Sequence, residues 1–230
     1  MDKIENILQN LKGEKAFALT RFGDGELLGI RSAGLTVARG KQKVNQQLSN
    51  LLREAISHEQ ENYWVGIPCQ TCWGEHRWVA DKFVRNDYPY KTTAVVLTNR
   101  NWERFIDEFP KTIGFRSVYW IGGESHNPYA LSELGIKISS HIKVPDSDAF
   151  SEMSNILPLI NGFPRKSIVL MSCGPMSRVL TYLWYKTRQD ITLLPVGDVF
   201  SPWVKKVYLR CHHSRFPDKT DKHPPCPECF

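Results

Sequence analysis

The sequence predicts an α/β fold: a largely parallel sheet with helices on both faces. Short apolar runs alternate with helical stripes along almost the whole chain, and ligand-type residues (Gly, Asp, Glu, Ser, Cys) follow those runs. A length of 230 residues suits one substantial core. The expected organisation is a single domain over residues 1–209 and an irregular Cys/His/Pro-rich tail over residues 210–230, where the alternation lapses.

Ile4, Ile7, Leu8 and Leu11 recur at helical spacing, and Gly13 stops that helix before a strand over 16–19. Residues 21–26 read as a tight glycine turn. Val44, Leu48, Leu51, Leu52, Ala55 and Ile56 form a second stripe, leading to a strand over 63–67 that Pro68 ends. Then follow a helix over 76–84, a strand over 94–98, a helix over 102–109 and a strand over 117–121. A helix after Pro128, a strand over 139–144, a helix over 151–160 and a strand over 167–171 come next. A helix over 176–186 and a strand over 191–196 close the pattern. In such sheets ligands sit beyond the carboxyl ends of the strands, so the segments after each apolar run are the ones to search.

No run approaches the ~18 apolar residues of a membrane span, and residues 1–15 lack the apolar core of a signal peptide. A cytoplasmic protein is expected. The net charge of +6 is scattered rather than gathered. It fits either a solvated surface or an anionic partner such as a diphosphate, and gives little support to a nucleic-acid partner.

Arg21-Phe22-Gly23-Asp24-Gly25-Glu26 is the strongest local signal. Two carboxylates beside a phosphate would repel it, whereas a divalent cation shared by hard oxygen ligands reverses that sign. Mn²⁺ or Mg²⁺ held by Asp24 and Glu26 would stabilise a departing diphosphate, and Arg21 could add a charge-assisted hydrogen bond. The competing reading is a surface turn with solvated acids and a salt-bridged arginine. Gly174-Pro175 opens a helix after an apolar strand, where free amides attract anions.

These residues resemble the GT-D glycosyltransferases, whose Asp-x-Glu motif also follows a short strand. The likeness continues through Val65-Gly-Ile-Pro68, Ile121-Gly-Gly-Glu-Ser125, Val144-Pro-Asp-Ser-Asp-Ala-Phe150 and Ser172-Cys-Gly-Pro-Met-Ser-Arg-Val-Leu180, in the same order. The resemblance implies a Rossmann-like sheet, a nucleotide-sugar donor such as a UDP-hexose, a cation on Asp24 and Glu26, and a glycan or other hydroxyl acceptor. It also implies a donor pocket lined by Ser125, Asp148, Ala149, Phe150 and Gly174, with Arg21, Phe22, Gly23 and Pro175 from the flanking turns. Glu124 and Asp148 would orient sugar hydroxyls.

One departure stands out. GT-D sequences continue after the last strand with Gly-His and several acids, whereas this chain has Gly197-Asp198 and no following acids. Asp198 is a candidate metal ligand, a candidate base toward the acceptor, or a helix cap; His212 or His213 could supply the missing imidazole. Cys69-x-x-Cys72 and Cys226-x-x-Cys229 could hold one structural Zn²⁺, with Cys211 and His213 as an alternative pair. Trp73 and Trp78, after Pro68, could stack on an acceptor sugar. A phosphohydrolase, or a basic zinc module for nucleic acid, are the alternative functions. The first lacks an extra acidic cluster, and the second rests on the tail alone.

Overall fold

The computed structural model describes residues 3–37, 42–70 and 74–207. Nine strands and eight α-helices alternate within them. In chain order these are α1 Ile4–Lys12, β1 Ala18–Arg21, α2 Asp24–Arg31, β2 Thr36–Val37, β3 Gln42–Lys43, α3 Gln46–Ser57, β4 Tyr63–Ile67, α4 Gly74–Ala80 and β5 Lys91–Thr93. There follow α5 Trp102–Ile113, β6 Val118–Gly123, β7 Ile138–Val144, α6 Met153–Ile156, β8 Ile168–Ser172, α7 Met176–Thr187, β9 Thr192–Pro195 and α8 Ser201–Val204.

Seven strands form one sheet in the order β5-β4-β1-β9-β8-β6-β7, and every pairing is parallel. The inner strands β1, β4, β8 and β9 are buried at every residue, as strands covered on both faces must be. The edge strand β7 is only partly covered, and its middle is half-exposed. β2 and β3 make a separate antiparallel pair. Among the described residues no helix is long and apolar enough to cross a membrane.

Two apolar cores lie on the two faces of the sheet. One gathers Leu27, Leu48, Leu52, Ile156 and Val179 from α2, α3, α6 and α7. The other gathers Ile7, Leu11, Phe105, Phe109 and Val204 from α1, α5 and α8. The chain therefore leaves β1 toward the first face and leaves β9 toward the second. Adjacent strands whose connections depart in opposite directions open a crevice at their carboxyl ends. Only Ala18 and Leu193 are paired between β1 and β9, so beyond that point the crevice lacks a backbone ladder.

Several elements differ from the sequence reading. The strand expected over 94–98 is β5, at 91–93; Val96 and Leu97 are buried in turns after it rather than in a strand. Side chains satisfy two carbonyls of these turns, since Arg21 Nη1 donates to Ala94 O and Asn101 Nδ2 to Val96 O. The helix expected over 151–160 is broken into a 3₁₀ turn, the four residues of α6 and a second 3₁₀ turn with Pro158 near its start. A 3₁₀ helix replaces the α-helix after Pro128. The glycine turn over 21–26 is instead the end of β1 and the first turn of α2. The tail over 210–230, with Cys211, His212, His213, Cys226 and Cys229, lies outside the described residues, as do Cys72 and Trp73.

Candidate active site

The β1/β9 crevice is filled by two buried arginines. Arg21 donates from Nε to Pro195 O at 3.1 Å, from Nη1 to Ala94 O at 3.2 Å and from Nη2 to Val196 O at 2.9 Å. It thus stands in for the missing ladder and ties three strand ends together. Gly197, at φ +55, lets the chain turn beside it; an added Cβ there would sit 3.5 Å from Arg21 Nη2. Burial brings the Arg21 pKa down to about 9, and the neighbouring Arg178 adds to the fall; Glu26 and Asp198 oppose it. The group stays protonated at neutral pH. Arg21, expected to meet phosphate, is thus turned inward with all three nitrogens engaged, and Phe22 is fully buried in the core.

Arg178, from α7, reaches the same crevice. Its Nε donates to Arg21 O at 2.7 Å, Nη1 to Ser177 Oγ at 2.6 Å and to Gly174 O at 3.2 Å, and Nη2 pairs with Glu26 Oε1 at 3.1 Å. The other Glu26 oxygen, Oε2, accepts the Gly23 N–H at 3.0 Å. Glu26 is therefore the N3 residue of α2 that reaches back to the helix start, and its charge is satisfied by a buried arginine.

Asp24 behaves in the opposite way. It is the first residue of α2, exposed, and its Oδ1 accepts the Gly25 N–H at 2.8 Å. A carboxylate at a helix start is favoured by the unpaired amides and the dipole. Asp24 and Glu26, two residues apart in the first turn of α2, are turned by about 200° from one another around the helix axis.

Asp198, half-buried after β9, accepts from Ser201 Oγ at 3.2 Å and lies 3.5 Å from Lys205 Nζ. Gly174 and Pro175 turn the chain into α7, where the Ser177 and Arg178 amides donate to Gly174 O and Pro175 O within the turn. Ser172 Oγ donates to Gly197 O at 2.9 Å, closing β8 onto the loop after β9.

Farther along the carboxyl edge, β6 and β7 present a rim of acids. Glu124, Ser125, Asp146 and Asp148 are all exposed, and Ser125 Oγ donates to Asp146 Oδ1 at 2.8 Å. Gly122 and Gly123 permit the close approach behind this rim. A Cβ at Gly122 would collide with Trp120 Nε1, and one at Gly123 with Asp146 Oδ1. Ala149 and Phe150, next in the chain, are buried behind this rim.

Nothing in the sequence alone gives Arg178, Asp146 and Gln42 a role. Arg178 carried a signal, a cation among the apolar positions of a helix, but its partners are supplied only by the fold. Among the described residues no group of three or more His, Cys, Asp and Glu could hold a metal ion by itself. Of the four thiols expected around zinc, only Cys69 is described, half-buried after β4.

No protein-family profile matches the chain, nor does any curated protein. Solved structures do. A structure described as a new glycosyltransferase (DUF1792) from Streptococcus sanguinis superposes with a TM-score of 0.67 at 18% identity, over 96% of this chain and 93% of that one. The chain has the DUF1792 glycosyltransferase fold. A second DUF1792 structure, described as having a distinct glycosyltransferase fold, gives a TM-score of 0.62 at 19% identity over 87% of this chain and 79% of that one. A selenomethionine form of the same domain agrees, at 0.62 and 20%. The Rossmann-like arrangement expected from the sequence is the one observed.

Proposed function

We propose that the chain is a glycosyltransferase that takes a sugar from a nucleotide-sugar donor, a UDP-hexose in the first instance, and passes it to a hydroxyl acceptor with the help of Mn²⁺ or Mg²⁺. The observation that carries this reading is the pairing of an exposed carboxylate, Asp24, with a rim of exposed acids on the same carboxyl edge of a sheet with the glycosyltransferase fold.

The donor set bears on how a cation would be held. Each Glu26 oxygen already has one partner, the Gly23 N–H or the Arg178 guanidinium, whereas Asp24 is exposed, so we assign the cation first to Asp24. A hard cation that keeps its waters and is shared with a diphosphate needs only one or two carboxylates, and Asp24 meets that need. When bound, the ion would offset the negative charge that develops on the leaving diphosphate.

The remaining work falls to the chain's own side chains. The Arg178–Glu26 pair fixes the start of α2, and with it the position of Asp24. Glu124 and Asp148, both exposed on the rim, would accept hydrogen bonds from sugar hydroxyls. Asp198, oriented through Oδ1 by Ser201 and Lys205, is the carboxylate assigned to take the acceptor's proton. For the acceptor, Trp78 is 61% exposed and lines an open cavity of about 490 Å³ with Arg31, Gly74 and Glu75. The Lys82 ammonium lies over the Trp78 ring, 3.4 Å from its centroid, so a saccharide would stack on the opposite face or displace it.

The test is a thermal-shift panel of nucleoside diphosphate sugars, each with and without Mn²⁺, since a ligand that binds only the native state raises its apparent stability. One donor is expected to stabilise the protein only when the cation is present. A flat response across the panel would overturn the proposal. Stabilisation by nucleotides alone, with phosphate release and no sugar transfer, would favour a phosphohydrolase.

A further inference from the structure

The β2–β3 hairpin carries a buried amide whose every polar atom points at the rim. Gln42 is 3% exposed. Its Nε2 donates to Lys43 O at 2.9 Å and to Asp148 Oδ1 at 2.5 Å, and its Oε1 accepts the Phe150 N–H at 3.3 Å. Both hydrogens of the amide and its carbonyl are thus used, and two of the three bonds cross to the loop after β7.

That loop needs holding. Asp148 has φ +53 and ψ +41, in the left-handed region, which Asp tolerates better than most residues with a Cβ but which still favours support from its surroundings. No side-chain cap is present on the 3₁₀ turn that it opens, apart from the Ser151 Oγ and N–H bonds to Asp148 O. Gln42 grips this residue from the side chain and the residue two further on from the backbone. The carboxylate is left exposed, with Oδ2 bonded to nothing among the described residues.

We propose that Gln42 is a positioning residue: its amide clamps the Asp148 loop so that the Asp148 carboxylate is presented in one orientation to a hydroxyl of the donor sugar. This rests on the sugar-transfer reading above and adds to it the device that sets one contact to the sugar. Asp148 would touch the donor; Gln42 acts only through Asp148. A preformed acceptor oxygen spares the loop's ordering cost at the moment of binding.

The clamp makes a charge-specific prediction. In Gln42→Glu the two donors are lost and a carboxylate faces Asp148 across a hydrogen-bond distance, so the loop is pushed off. In the double variant Gln42→Glu with Asp148→Asn, the amide and the acid have exchanged ends and the bond between them is restored with reversed polarity. The measurement is a double-mutant cycle on donor KM, acceptor KM and kcat, with donor binding by titration calorimetry in parallel. Gln42→Glu is expected to raise donor KM by about tenfold to a hundredfold and leave acceptor KM alone. In the Asp148→Asn background the same change is expected to cost less than about threefold.

Equal losses in the two backgrounds would overturn the clamp, because a purely structural role for Gln42 is blind to what stands at 148. Should Gln42→Glu fail to fold, Gln42→Asn keeps the amide but is too short to span the gap, and is expected to raise donor KM in the Asp148 protein only. If the unaltered protein binds no nucleotide sugar, the sugar-transfer reading fails and the clamp falls with it. If it binds one and the cycle shows no coupling, the clamp alone fails.

Discussion

The two halves of the carboxyl edge use charge in opposite ways. Around the β1/β9 crevice, Arg21, Arg178 and Glu26 are each 9% exposed or less and spend their hydrogen bonds on one another and on strand-end carbonyls. Along the β6–β7 rim, Glu124, Asp146 and Asp148 are exposed, with oxygens still open to a ligand. The difference teaches that a charged motif can be read as chemistry only after its partners are known. Glu26 belongs to the first group and Asp24 to the second, although one glycine separates them.

That contrast can be broken most forcefully at the buried pair. Arg178→Ala leaves Glu26 as an uncompensated buried carboxylate and removes three donated hydrogen bonds, so it is expected to cost about 3–5 kcal/mol in denaturant unfolding. A loss below about 1 kcal/mol would show that the pair is solvated. Asp24→Ala should do the reverse: sugar transfer falls at least about a hundredfold while stability falls by no more than the ~1 kcal/mol of a helix-start carboxylate. A parallel fall in both would place Asp24 with the structural group.

The glycines behind the rim sharpen the comparison at smaller scale. Gly122→Ala drives a methyl into the Trp120 and His126 rings and is expected to cost about 1–3 kcal/mol. Gly123→Ala meets chiefly the movable end of Asp146 and should cost less than Gly122→Ala in the same unfolding assay. Smallest of all, burial raises the Cys173 thiol to about 12, so at pH 8 it stays protonated. Cys173 is expected to resist alkylation in the native protein and to react on denaturation, as peptide mapping by mass spectrometry would show.

Much of the fold was legible because its inner strands are short, mostly apolar runs, and because the stripes of α1 and α3 keep one face for the core. Residues 94–98 misled because buried turns and buried strands share that composition. The glycines of 21–26 suggested a turn, while Glu26 at N3 was the stronger signal, for a helix start. The site was legible as a set of loops. The direction each side chain takes was not, since Arg178 and Gln42 meet their partners across 152 and 106 positions of chain.

The most direct test of the account is electron paramagnetic resonance of Mn²⁺ with nucleoside diphosphate, titrated into the unaltered protein, Asp24→Ala and Glu26→Gln. Glu26→Gln keeps an acceptor for the Gly23 amide, so it is expected to retain the protein-bound Mn²⁺ signal, which Asp24→Ala loses. Retention of that signal by Asp24→Ala, with loss in a folded Glu26→Gln, would contradict the assignment of the cation to the exposed acid.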